Sequence, residues 1–145
     1  MDSITLKCQI STVGTAKPVG LKITLDGKDI LTLDSVQEPM TEFSYDLADT
    51  DGDHTLVFEM FGKTPAHTVV DEQGNIVSDA MINISKISVD DIDITQVVHE
   101  LSVYQHDFNG SQPVIEDKFY GDMGCNGTVR LNFTTPIYLW LLENM

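Results

Sequence analysis

The densest run of oxygen donors in the chain is Asp49-Thr50-Asp51-Gly52-Asp53. Hard cations want several carboxylate oxygens, and alternate acids on a tight turn can converge on one. The helix-loop-helix calcium pattern, however, needs Gly after its third acidic position, where this chain has His54. The expectation is a charged turn. Asp90, Asp91 and Asp93 form a second acidic group. Read as a strand, they put Asp91 and Asp93 on the face opposite Ile92 and Ile94, a solvated edge. His99, His106, Asp107 and Cys125 are the soft-metal donors, but their spacing lacks the tight pairs of zinc sites, so they read as ordinary surface or hydrogen-bonded groups. Tyr104-Gln105-His106-Asp107-Phe108-Asn109-Gly110 interleaves rings with hydrogen-bonding groups on a predicted loop. Such a surface suits sugar stacking or protein contact, with Tyr104, His106, Asp107 and Phe108 as candidate glycan-binding residues, unless the loop tucks Tyr104 and Phe108 back onto the core. No Gly-x-Ser-x-Gly elbow or phosphate-binding Gly-rich loop occurs, and paired carboxylates among 23 acids single out no reaction. A non-enzyme is expected.

Elements must position these groups, and strand patterning dominates. Ile4, Leu6, Cys8 and Ile10 alternate with polar residues, as do Val19, Leu21, Ile23 and Leu25. Asp26-Gly27 then marks a tight hairpin turn. Leu56, Phe58 and Met60 form one apolar face. Ile82 and Ile84 change phase near Ser85-Lys86 before Ile87 and Val89, which predicts a bulge or a corner. A small hairpin is expected at Gln73-Gly74-Asn75, and residues 97–104 read as a strand or a short helical turn. About eight to nine short strands predict an all-β fold, an antiparallel β-sandwich or jelly roll, as a single domain over residues 1–145.

The chain of 145 residues carries 23 acidic against 8 basic residues, a net charge of −15. This excludes a nucleic-acid binder, which needs a basic footprint, and disfavours anionic membranes. Cys8 reads as a core residue, and two cysteines are too few for a disulfide framework. Met1-Asp2-Ser3 has neither the basic region nor the apolar run of a signal peptide, so no signal peptide and synthesis in the cytoplasm are expected. Residues 137–142 are six consecutive apolar or aromatic residues. As a strand they put Tyr138, Trp140 and Leu142 on one face and Ile137, Leu139 and Leu141 on the other. Two apolar faces need two covers, the second being either an internal loop such as residues 105–127 or another subunit; in the latter case Tyr138, Trp140 and Leu142 are the expected assembly interface, in a homo-oligomer or against other subunits.

Two resemblances extend this reading. The Leu25-Asp26-Gly27-Lys28 hairpin, Asp53-His54-Thr55-Leu56-Val57-Phe58 entering a strand, and residues 84–94 resemble small carbohydrate-binding-module β-sandwiches, among them calcium-using xylan-binding modules. Those modules hold ion and sugar with an Asn-Asp pair, where this chain reads Phe61-Gly62-Lys63-Thr64. The resemblance then leaves Asp71, Asn75 and Asp79 as the nearest oxygen donors for calcium, and no other cofactor is implied. The chain also resembles small virion proteins of tailed bacteriophages, through residues 54–60, 71–77, 104–107 and 121–145. That resemblance implies a non-enzymatic structural or accessory subunit of a capsid or tail, made in the host cytoplasm and acting through contacts with other virion subunits. The alternative is a free-standing carbohydrate-binding module that recognises a polysaccharide.

Overall fold

The computed structural model describes residues 3–13, 19–36, 40–64, 69–78, 81–107, 110 and 112–144. In chain order the strands are β1 Ser3–Val13, β2 Gly20–Leu25, β3 Lys28–Leu33, β4 Thr41–Ala48, β5 Gly52–Phe61, β6 Val69–Val70, β7 Ile76–Ser78, β8 Met81–Val89 and β9 Ile92–Asp93. Helix α1, Thr95–Leu101, follows. Then come β10 Val103–His106, β11 Ile115–Lys118, β12 Asp122–Met123, β13 Gly127–Thr135 and helix α2, Ile137–Asn144. One sheet has the order β12-β8-β1-β4, with β9 also paired to β8. The other runs β11-β10-β13-β5-β2-β3, and β6 and β7 form a small separate ribbon. Every pairing among them is antiparallel. The fold is the expected antiparallel β-sandwich.

The alternating residues do what their period demands. Ile4, Leu6, Cys8 and Ile10 from one sheet meet Leu21, Ile23, Leu56, Phe58, Met60, Val129, Leu131 and Phe133 from the other in one buried cluster. Burial pushes the Cys8 thiol up to about 12, which keeps it protonated and unreactive. Asp26 and Gly27 have φ of 53° and 82°, the left-handed pair a two-residue hairpin needs. The phase break in β8 is a bulge: pairing with β1 shifts between Lys7 and Gln9, and Lys86 sits at φ 50°. The Gln73-Gly74-Asn75 turn joins β6 to β7, with Gly74 at φ 82°.

Three expectations change. The strands number more than eight or nine because β6, β7, β9, β11 and β12 are pieces of two to four residues, too short to show alternation. Asp90 and Asp91 lie in the turn between β8 and β9, at φ 50° and 65°, rather than on an edge strand. Asp is among the few non-glycine residues that visit this conformation, and here Asp90 Oδ1 reaches across to β1, where it accepts the Thr5 N–H at 2.8 Å. The largest change is at residues 137–144, which form a helix. Ile137, Trp140 and Leu141 are buried at helical spacing, while Tyr138, Leu139 and Leu142 are exposed. Its first N–H, that of Ile137, is accepted by Asp49 Oδ1 at 2.8 Å, so one residue of the acidic turn caps the helix while Asp51 and Asp53 stay exposed as a charged turn. Trp140 packs edge-on against Phe133, with ring centroids 6.1 Å apart.

A chain of polar groups ties the same end together. Asp26 Oδ2 lies 2.7 Å from His54 Nδ1, and His54 Nε2 lies 3.0 Å from Thr135 Oγ1. The Thr135 hydroxyl donates to the Thr50 carbonyl, and the Thr55 N–H donates to Asp26 Oδ1. Carboxylate, imidazole and hydroxyl in sequence have the connectivity of a hydrolytic triad. Thr135 is only 4% exposed and its proton is spent on Thr50, so the chain is a structural clamp joining the β2–β3 turn, β5 and the entry to α2. Desolvation raises the Asp26 carboxyl, but the bonds from His54 and Thr55 and the His54 charge outweigh it and hold the carboxyl below its ordinary value.

A folded-state pKa below the unfolded value stabilises above the unfolded pKa, and that contribution fades as pH falls through the folded one. Asp26→Asn is therefore expected to lose about 1 kcal/mol near neutrality, a modest loss because the carboxylate is half exposed. The wild-type advantage in urea midpoint should shrink at about pH 3, below the ordinary Asp value near ~3.9. An equal gap at both pH values counts against the clamp.

Candidate functional site

The outer face of the six-stranded sheet carries the candidate site. Side chains alternate along each strand, so residues between the core positions of β5, β13 and β10 face outward. Register aligns them: Gln105 pairs with Thr128, Thr128 with Glu59 and Glu59 with Lys22. Where β10 ends and β5 runs into Gly62, the sheet opens into a cleft of about 460 Å³. Glu59, Phe61, Gln105, His106, Asp107, Asn126 and Thr128 are among its lining residues.

Close backbone contact shapes the cleft. Gly127 pairs with His106, and a Cβ at Gly127 would stand 2.3 Å from the Gln105 carbonyl oxygen. Only glycine lets β10 and β13 approach this closely. Gly20 plays a matching part across β5. A Cβ there would stand 2.3 Å from the Phe61 ring, so that ring lies flat over the glycine on the outer face. The wall carrying Asn126 is fixed by a reciprocal pair. The Lys63 N–H donates to Asn126 Oδ1 at 2.9 Å, and Asn126 Nδ2 donates to the Lys63 carbonyl at 2.9 Å. The buried Lys63 ammonium donates to the Gly124 carbonyl.

The aromatic segment singled out in the sequence divides here. Tyr104 is 7% exposed and faces the core. Its hydroxyl accepts the Cys125 N–H at 2.9 Å and donates to the Cys125 carbonyl. Burial is the main cause that pushes its phenol up to about 12. His106 is also buried, 3.2 Å from Asp117 Oδ2 and with its ring centroid 4.5 Å from that of Tyr104. The loop expected at 104–110 is in part strand β10, so Tyr104 holds the 125 loop and His106 forms the cleft floor, neither ring standing out as a stacking surface. Asp107 lines the cleft and accepts the Gly110 N–H at 2.8 Å. Phe108 lies outside the described residues. Glu59, Phe61, Gln105, Asn126 and Thr128 were missed in the sequence reading. For Glu59, Phe61, Gln105 and Thr128 the signal is the outward phase of their strands, whereas Asn126 lies in the loop before β13 and carries none.

Of the expected calcium donors, Asp71 and Asn75 lie together in the β6–β7 turn. Asp71 Oδ1 accepts the Gln73 and Asn75 N–H groups, both at 2.9 Å, which makes it the organiser of the β6–β7 turn. The Asn75 bond is the main cause holding its carboxyl below the ordinary value. Asp79 lies outside the described residues. Among the described residues no group of three His, Cys, Asp or Glu side chains is arranged to hold a metal, and no helix is long and apolar enough to cross a membrane. Of the expected assembly residues, the helix turns Trp140 inward at 6% exposure and leaves Tyr138 and Leu142 outside at 53% and 79%.

The sequence matches no family model and no curated protein. Among solved structures, vCBM60 in complex with galactobiose is similar at 15% identity and a TM-score of 0.46, over 90% of this chain and 99% of that one. A selenomethionine form of vCBM60 is similar at 11% identity and a TM-score of 0.46, over 88% of this chain and 89% of that one. It is described as showing circular permutation between two families of calcium-dependent carbohydrate binding modules. At this level of likeness neither structure assigns a family.

Proposed function

We propose that this chain is a non-catalytic glycan-binding β-sandwich whose saccharide site is the cleft on the outer face of the six-stranded sheet. The observation that carries the reading is the lining of that cleft: one aromatic ring, Phe61, amid carboxylates, amides and a hydroxyl from Glu59, Asp107, Gln105, Asn126 and Thr128. A sugar presents C–H faces that pack on an aromatic ring and hydroxyls that both donate and accept, which these groups match. The support is geometry and chemistry on this chain alone. A glycan array followed by calorimetry, with and without added calcium, tests it. At least one neutral glycan should bind, and Gln105→Ala or Asp107→Ala should weaken it about tenfold, the worth of a hydrogen bond to a desolvated partner. Silence across the array in both conditions rejects the reading.

A second reading, assembly into a homo-oligomer or a virion, is favoured by one observation. Helix α2 presents Tyr138, Leu139 and Leu142, all more than half exposed, as a contiguous apolar face.

A further inference from the structure

The cleft does not end at Gln105 and Thr128. A second depression of about 190 Å³ shares both residues and continues along β13 past Arg130 to Asn132, with Val103 and Glu116 on its β10 and β11 side. From Thr128 to Asn132 is four residues of extended strand, roughly 14 Å at about 3.4 Å per residue. The two depressions adjoin at Gln105 and Thr128, and read together as one trough they are longer than a single sugar ring. We propose that this trough holds an internal stretch of an unbranched, non-acidic polysaccharide, with Arg130 as its far-end contact; the proposal rests on the glycan reading of the cleft.

Three observations select this ligand. Arg130 is the only arginine of the chain, is exposed, and makes no ion pair among the described residues. It lines the trough, and among the described residues none of its five N–H donors has a hydrogen-bond partner, which suits them to hydroxyl and ring oxygens. Val103 beside it is 38% exposed, an apolar surface for the C–H face of a sugar ring. Across the sheet Val103 and Arg130 are direct register partners, so the two contacts fall at one point along the trough. The net charge of −15 and the carboxylates of Glu59, Asp107 and Glu116 along the same trough repel a polyuronate or sulfated chain. One guanidinium does not reverse that field.

The test is calorimetry with 1,4-linked xylo-, gluco- and galacto-oligosaccharides from dimer to hexamer, with oligogalacturonates of the same lengths as the acidic counterpart. At least one neutral series should gain about tenfold or more in affinity from dimer to hexamer. Arg130→Gln should return the hexamer toward dimer affinity and leave the dimer unchanged; a thermal melt equal to wild type confirms that the exposed substitution leaves the fold intact. Length-independent binding, an equal effect of Arg130→Gln on dimer and hexamer, or preference for the galacturonates overturns the trough and leaves the cleft reading standing. Absence of binding by every series overturns the cleft reading, and the trough with it.

Discussion

Trp140→Ala should cost about 3–5 kcal/mol, in line with truncation of a large buried aromatic. For a chain of this size that lowers the melting midpoint by roughly 6–20 °C. The argument is geometric. Trp140 is 6% exposed, sits one helical turn from Ile137, and packs edge-on against Phe133, whose ring in turn stacks on His54 at 5.1 Å. Removing the indole leaves a void beside a core region that already contains a small gap of about 20 Å³ lined in part by Phe133, Ile137 and Trp140. It also loosens the helix whose first N–H is held by Asp49. Tyr138→Ala should change the melt by no more than about 0.5 kcal/mol, because Tyr138 is 53% exposed on the opposite side. A strand would have put Tyr138 and Trp140 on one face and made their losses alike, so the contrast discriminates the two conformations. Sedimentation of the Tyr138 variant reports separately on assembly through the exposed face. Equal destabilisation by both substitutions contradicts the helix.

That pair of residues also marks where the sequence was legible and where it was not. Ile4, Leu6, Cys8 and Ile10 alternate against polar neighbours, so only the strand period fits them, and all four are buried. Asp26-Gly27 and the break at Ser85-Lys86 are equally local: a turn and a bulge are written in the residues that make them. Residues 137–142 are apolar throughout, and an unbroken apolar run satisfies the helical and the strand period alike. What favours the helix is tertiary: Ile137, Trp140 and Leu141 find cover at helical spacing, and Asp49, 88 residues away in sequence, accepts the first N–H. The cleft was hidden for a related reason. Glu59, Gln105 and Thr128 are unremarkable polar residues on three separated strands, and only register brings them into a row. Tyr104 and His106 drew attention because they are aromatic and polar together, yet the strand phase turns both inward. The hydroxyl of Tyr104 needs a buried partner and finds one at Cys125, which explains a polar aromatic residue in that place without any ligand.

Gly127→Ala should damage both stability and binding, and it is the substitution that ties the fold to the proposed site. A Cβ at Gly127 would meet the Gln105 carbonyl oxygen at 2.3 Å, the His106 Cβ at 2.9 Å and the His106 Cα at 3.2 Å. The nearest of these is backbone, so no rotamer change relieves the clash. β10 has to move away from β13, at an expected cost of about 1–3 kcal/mol or more for overpacking. The displaced residues are Gln105 and His106, which line the cleft, and the shift also strains the Tyr104 contacts to Cys125. Affinity for whichever neutral oligosaccharide the wild type binds should fall by about tenfold or more, since misplacing a hydrogen-bonding wall forfeits at least one such bond. Gly74→Ala supplies the comparison. It meets nothing within 4 Å but sits at φ 82° in the distant β6–β7 turn, so it should cost about 1 kcal/mol from backbone strain and leave binding untouched. A Gly127→Ala protein that melts and binds like wild type would show that β10 and β13 do not approach this closely, and the cleft would lose the feature that shapes it.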